Sequence, residues 1–422
     1  MAPAIHGVSP DIDGRAAWVR LFVSLAASTM GGVGMWSVVV VLPAVQADFG
    51  ISRADASLAY TLTMLGFGFG GILMGNFADR FGIFRPLIAA GVTLGLGYMA
   101  TAYATSLWQF AIAHGLLIGL LGSSVSFGPM LADISHWFER RRGIAVAICA
   151  SGNYLAGTIW PPIVQHLVTT YGWRQTHVWL GIFCIATIVP LAMLLRRRSP
   201  ARAPAALAAG APVVTVRVPQ SAPPLPLGAL QALLIVAGIA CCVAMSMPQV
   251  HIVAYCADLG YGAARGAEML SLMLGFGIVS RLLSGLVADR IGGLATLLLG
   301  SILQGVALVL YVPFDGLVSL YVVSALFGLF QGGLVPSYAL IVRQFFPPEQ
   351  AGARVGAVLT ATMLGMALGG WLSGVIFDLT GSYRAAFLNG IAWNLLNVVL
   401  VVLLMWRRGV TRRSGGSLPV PA

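Results

Sequence analysis

About twelve separate runs of roughly twenty apolar residues, parted by short polar breaks, constrain this chain more than any other feature. A hydrocarbon layer of about 30 Å is crossed by about twenty helical residues, so each run is long enough to span it. A helix on a soluble core keeps a polar stripe, yet Leu87 to Ala104 and Ile391 to Trp406 carry no charge on any side. The predicted spans are roughly 17–43, 58–78, 86–104, 108–132, 144–167, 176–195, 227–254, 265–288, 294–312, 317–342, 355–377 and 385–406. The gap at 196–226 differs: Arg196, Arg197, Arg198, Arg202 and Arg217 stand among Ala and Pro, the composition of a flexible linker. The expected product is an all-α membrane protein with twelve transmembrane helices in two pseudo-symmetric six-helix bundles. A tail at 1–16, bundles at 17–195 and 227–406, the linker at 196–226 and a tail at 407–422 complete it.

Charge placement decides what the net charge of +11 means. All 24 basic residues are arginine. With the N-terminus inside, Arg53, Arg174, Arg265 and Arg384 fall outside, Arg281 alone lies within a span, and the others fall in or beside inner segments. That is the positive-inside bias, and it predicts a multi-pass protein of a bacterial inner (plasma) membrane with both termini cytoplasmic. Basicity is then a matter of topology, and with no basic stripe interleaved with aromatics, no nucleic-acid partner is expected. Cys149, Cys184, Cys241, Cys242 and Cys256 lack a repeated CxxC spacing, which suits buried thiols; no metal or cofactor is expected. Residues 1–16 show no apolar signal-peptide core, so the first span is expected to direct insertion.

The two halves repeat. Gly75-Asn-Phe-Ala-Asp79-Arg80-Phe-Gly82 ends the second span and Gly285-Leu-Val-Ala-Asp289-Arg290-Ile-Gly292 ends the eighth, with LGFG upstream at 65–68 and 274–277. Gly75 and Gly285 let helices approach, Asp79 and Asp289 can pair with Arg80, Arg290 or another arginine, or cap a helix, and the closing glycines turn the chain. A parallel repeat of six spans places a substrate site between the halves near the midplane.

Twelve spans, a basic central linker and this tag in both halves resemble the major facilitator superfamily from about residue 17 to 406. Asp48-Phe-Gly-Ile-Ser-Arg53-Ala-Asp55-Ala-Ser57, and Trp137 to Gly143 running into Gly152-Asn153, are similar to the monocarboxylate and oxalate/formate transporter group. Arg281 is a third likeness, because carriers of that group bind the substrate carboxylate through an arginine in span eight. The chain departs from the group where Gly277 stands in place of the acid that eukaryotic proton-coupled members carry one turn before that arginine, and where span one opens only loosely Gly-rich at Gly31, Gly32 and Gly34.

Arg281 itself calls for a partner, since an arginine at mid-membrane costs about 2.5–3.5 kcal/mol on insertion scales. Snorkelling is a poor answer two turns inside Asp289 and Arg290. Gly277, Ser284, Gly285 and Ala288 share its helical face, and a face so small packs on another helix, so Arg281 is expected between the halves. Two readings stand: a substrate anion, or a structural pairing with Asp133 bent inward or with backbone carbonyls. A single cation, with no base in span eleven, matches a monoanion better than a dianion.

Asn153, Tyr154, Gln331, Tyr338 and Trp36 are further candidates for the substrate site, with helix-to-helix bonding the competing reading. His114, His251 and Glu268 are proton-coupling candidates. Trp108, Trp173, Trp137 and Trp406 suit interfacial anchoring. The expected function is secondary active transport, by alternating access, of a small lactate- or pyruvate-like monocarboxylate, proton-coupled or anion-exchanging, by a monomer contacting membrane lipid. An exporter of hydrophobic compounds and a non-transporting membrane sensor are the alternatives. An enzyme is not expected: there is no HExxH, no GxSxG and, without lysine, no P-loop.

Overall fold

The computed structural model describes residues 11–197, 223 and 225–414, so most of the expected linker, with Arg198, Arg202 and Arg217, lies outside the described residues. The described chain is helical: α1 (Arg15–Gly31), α2 (Val33–Phe49), α3 (Arg53–Phe81), α4 (Phe84–Ala102), α5 (Leu107–Ala113), α6 (Gly128–Ser135) and α7 (Arg142–Leu194) form the first half. The second half consists of α8 (Leu227–Asp258), α9 (Ala263–Ile291), α10 (Gly293–Leu310), α11 (Leu317–Gln331), α12 (Leu334–Phe345), α13 (Pro348–Thr380) and α14 (Tyr383–Ser414).

Ten continuous stretches among the described residues are long and apolar enough to cross a membrane. One of them, α7, has 53 residues, about 80 Å if straight and more than twice a hydrocarbon layer. It breaks at Gly172, whose φ of 79° suits glycine, and so supplies spans five and six. With α4, of 19 residues, the predicted twelve crossings are complete. Span one is α1 and α2 joined at Gly32. Span four runs from α5 through a wider π turn (His114–Gly122) and a tight turn (Ser123–Ser126) into α6. Its counterpart, span ten, is likewise interrupted, between α11 and α12.

The repeat seen in sequence is a repeat of backbone. α3 and α9 each have 29 residues and end on Gly82 and Gly292, with φ of 78° and 85°. Lipid explains the outer faces: on α9, Leu282, Leu283 and Leu286 are at least half exposed, while Gly277 and Ser280 are buried inward. The halves meet where α3 packs on α13, α7 on α9 and α2 on α8.

Two expected placements change. Trp173 and Trp137 are buried, not interfacial: Trp173 packs edge-on against Phe49 and Phe110, and Trp137 lies 4.6 Å below the Arg20 guanidinium. Arg20, one of the arginines grouped from sequence with the inner segments, is buried within α1.

The two ends of the bundle differ. At the end carrying Arg53, the halves are tied by the Arg53 and Asp258 ion pair and by Asp378, whose carboxylate accepts from the backbone N–H groups of Arg53 (3.0 Å) and Ala54 (2.7 Å). At the arginine-rich end, with Arg80, Arg290 and Arg140 to Arg142, a Cβ at Gly71, Gly75 or Gly285 would meet nothing within 4 Å.

Candidate substrate site

Between the halves lies a cavity of about 310 Å³, within the range of small-molecule sites. It reaches from Tyr60 and Gln249 toward Gly71, Gly128 and Gly356, nearer the arginine-rich end. Trp36, Asn153, Tyr154 and Arg281, brought by α2, α7 and α9, line it on one side. Arg281 is the sole charged residue in that lining.

The guanidinium of Arg281 is held on two sides. Its Nη1 donates to the Ala150 carbonyl at 3.1 Å, and its central carbon stands 4.4 Å from the centroid of the Tyr154 ring. Nε is buried and has no partner. The guanidinium thus keeps donors without a protein acceptor, and a carboxylate is the group that complements them.

Arg20 shows the same side chain completed. Its Nη1 also donates to carbonyls, of Leu195 and Arg197, but its Nε and Nη2 bind the two Asp133 oxygens at 2.7 and 3.0 Å. Asp133 is thereby committed to Arg20, which removes it as the partner of Arg281, and Arg281 forms no ion pair among the described residues. The backbone-carbonyl reading is met by one donor only.

Local sequence explains the geometry. A Cβ at Gly277 would stand 2.4 Å from Tyr154 Cε1, so the ring can lie beside Arg281 only because residue 277 has no side chain. Trp36 closes the corner by donating its indole N–H to the Asn153 carbonyl at 3.1 Å.

The Major Facilitator Superfamily profile matches residues 24–319 and 269–419. The chain belongs to the major facilitator superfamily. It is 28% identical to monocarboxylate transporter 13 of Bos taurus over 321 residues, 76% of this chain and 73% of the relative. It is 29% identical to monocarboxylate transporter 11 of Mus musculus over 396 residues, 89% and 84% of the two chains. A solved bacterial homolog of the lysosomal transporter Spinster, in an inward-facing, occupied conformation, matches with TM-score 0.66 at 14% identity, over 96% of this chain and 98% of that one. The resemblance to the monocarboxylate group is thus carried by overall sequence as well as by motifs.

Within this superfamily frame the other expected residues separate. Gln331 does not reach the cavity; it stands behind Gln249 and accepts from its amide at 2.9 Å. Tyr338 is buried in the second half and donates to Asn397 at 2.8 Å. His114 lies in an aromatic cage of Tyr98, Phe110 and His177 with neither ring nitrogen bonded. His251 belongs to the Arg53 end, where Nε2 donates to the Gly370 carbonyl at 2.8 Å and Nδ1 accepts from the Tyr383 hydroxyl at 3.2 Å. Glu268 accepts from Arg265 and from the Tyr321 hydroxyl. None of these three lines the cavity. Of the repeated tag, Arg80 lies over the Phe81 ring at 5.3 Å, Asp79 lines a second hollow with Gly75 and His136, and Asp289 and Arg290 are exposed.

Sequence reasoning missed two groups. The wall opposite Arg281 contains Tyr60, Met64, Phe67, Met245, Met363 and Met366, which in an apolar chain cannot be told from packing residues. The other is the tie at Arg53, whose guanidinium bonds Asp258 and the Tyr383 hydroxyl. The family-like stretch at 48–57 was its only signal; Ser52 there caps α3 by accepting from the Asp55 N–H.

Proposed function

We propose that this protein is a secondary carrier of a small organic monocarboxylate, lactate- or pyruvate-like in its head group, working by alternating access. The observation that carries the proposal is Arg281, the one charged residue lining the inter-half cavity, with no protein carboxylate paired to it among the described residues. A permanent acid there would compete with substrate; a mobile one completes the fork, neutralises the charge and leaves the halves easier to rearrange. Similarity to proteins named monocarboxylate transporters supports the same substrate class. The arginine-rich end is assigned to the cytoplasm by the positive-inside bias, both termini with it, so the conformation described is open inward. Gly277, where the proton-coupled members of the resembled group carry an acid, favours anion exchange over proton symport.

A second reading, export of hydrophobic compounds, draws on the apolar wall opposite Arg281. Proteoliposome uptake of labelled pyruvate, lactate and oxalate, with and without a pH gradient, separates the two. The carrier proposal expects saturable monocarboxylate uptake, reduced on the order of tenfold or more by Arg281→Ala. Uptake indifferent to Arg281, or tighter handling of oxalate than of any monoanion, contradicts it.

A further inference from the structure

We infer that the acid taken by this cavity has a bulky apolar body, aryl or branched alkyl, behind its carboxylate; the inference rests on the carboxylate reading of Arg281. The cavity is chemically two-sided. Of its charged and amide groups, Arg281 and Asn153 come from α9 and α7, which pack on one another on one side, and Gln249 comes from α8. On the other side α3 and α13 pack together and present thioethers and rings. Tyr60, Met64 and Phe67 recur along one face of α3, and Met363 and Met366 continue the surface from α13, with Met245 of α8 beside them.

Met363 is half-buried and Phe67, Met245 and Met366 keep a small part of their surface on the cavity, with Tyr60 and Met64 packed behind them, so an apolar partner for that open part must arrive from outside the chain. A molecule of lactate size, seated on the Arg281 fork, would leave that wall against water. An aryl or branched alkyl body attached to the same head group would cover it, and methionine suits such a body because its flexible, polarizable thioether conforms to rings. The volume agrees, since about 310 Å³ is the scale of sites that enclose molecules larger than the smallest organic acids. No second charge lines the cavity, so the body should be uncharged.

The test is a binding titration of the full-length protein in nanodiscs with pyruvate, 4-methyl-2-oxopentanoate and phenylpyruvate, which share one head group, and with phenylacetone, which lacks the carboxylate. Affinity is expected to rise along the three acids, with phenylpyruvate at least about tenfold tighter than pyruvate. Met363→Gln combined with Met366→Gln should shrink that ratio. Pyruvate binding as tightly as phenylpyruvate would overturn the inference while leaving the carboxylate reading standing. Phenylacetone binding as tightly as phenylpyruvate would overturn the carboxylate reading, and binding of none of the three acids would overturn both.

Discussion

The ring of Tyr154 lies against the bare backbone of Gly277, one helical turn before Arg281, and the guanidinium carbon of Arg281 stands 4.4 Å from the centre of that ring. A Cβ at 277 would need to displace the ring. Gly277→Ala is therefore expected to move Tyr154 off the guanidinium. A cation–π contact contributes about 0.5–2 kcal/mol, so substrate affinity should fall about two- to thirtyfold. Tyr154→Phe keeps the ring face and should bind nearly as the parent does. Titration of both variants checks the pair, and wild-type affinity in Gly277→Ala would show that the ring does not set the arginine.

Arg20 and Arg281 should respond oppositely to removal. Arg20→Ala leaves Asp133, only 13% exposed, without its partner, and breaking such a pair costs about 3–5 kcal/mol of stability. Arg281→Ala strands no carboxylate and should scarcely change the melting temperature while abolishing substrate binding. Thermal melts beside binding titrations test this; equal destabilisation by the two variants would make Arg281 structural.

Arg53 ties the closed end across the halves, with its Nη1 and Nη2 to Asp258 at 3.2 and 3.3 Å and its guanidinium 4.7 Å from the Phe377 ring. A hydrogen bond to a charged group contributes about 1.5–3 kcal/mol, so Arg53→Ala should shift the balance of conformations on the order of ten- to a hundredfold toward opening at that end. Distances between spin labels on α3 and α13 near this end read the shift. An unchanged distance distribution would remove Arg53 from gating.

Gly75 and Gly285 face open space in this conformation, where an added Cβ meets nothing within 4 Å. If the halves rock shut at the arginine-rich end, a leucine at either position obstructs closure without disturbing the state described here. Gly75→Leu and Gly285→Leu should keep folding and substrate binding but lose uptake by about tenfold or more. Normal uptake by both would argue that this end does not close over these glycines.

Asp13, just before α1, accepts from the backbone N–H groups of Arg140, Glu139 and Arg141, and its own N–H donates to the Trp137 carbonyl at 3.1 Å. Those bonds, the one from Arg140 foremost, favour the ionised form and hold its carboxyl below the usual carboxylate range. A depressed folded-state value means that the clamp is fully present above the ordinary carboxylate pKa of about 3.9 and is lost only as pH falls through the lower value. Spin labels at positions 12 and 140 should stay at one distance as pH is lowered through the ordinary carboxylate value of about 3.9 and separate only as it falls through the lower, folded-state value. In Asp13→Ala they should be separated at every pH.

The solvent, the number of crossings and the repeat were legible because each is written locally. An uncharged run such as Leu87 to Ala104 declares lipid wherever it stands, and the two copies around Asp79 and Asp289 announced the matching ends at Gly82 and Gly292. The inward direction of Arg281 was legible too, from the small residues sharing its face. Asn153, Tyr154 and Trp36 met it at the cavity, whereas Gln331 and Tyr338 point to bonds within the second half, a difference that helical phase alone does not resolve.

Hydropathy and short motifs settle the membrane-spanning class and the family, since they depend on neighbours along the chain. Which arginine finds a permanent acid depends on contacts between residues far apart in it: Arg20 meets Asp133 across 113 positions and Arg53 meets Asp258 across 205. Folding distributes a few carboxylates among many guanidinium groups, and Arg281 is left at the cavity with no acid paired to it among the described residues. That remainder could not be read from the order of residues, because a charge is satisfied in space and not along the chain.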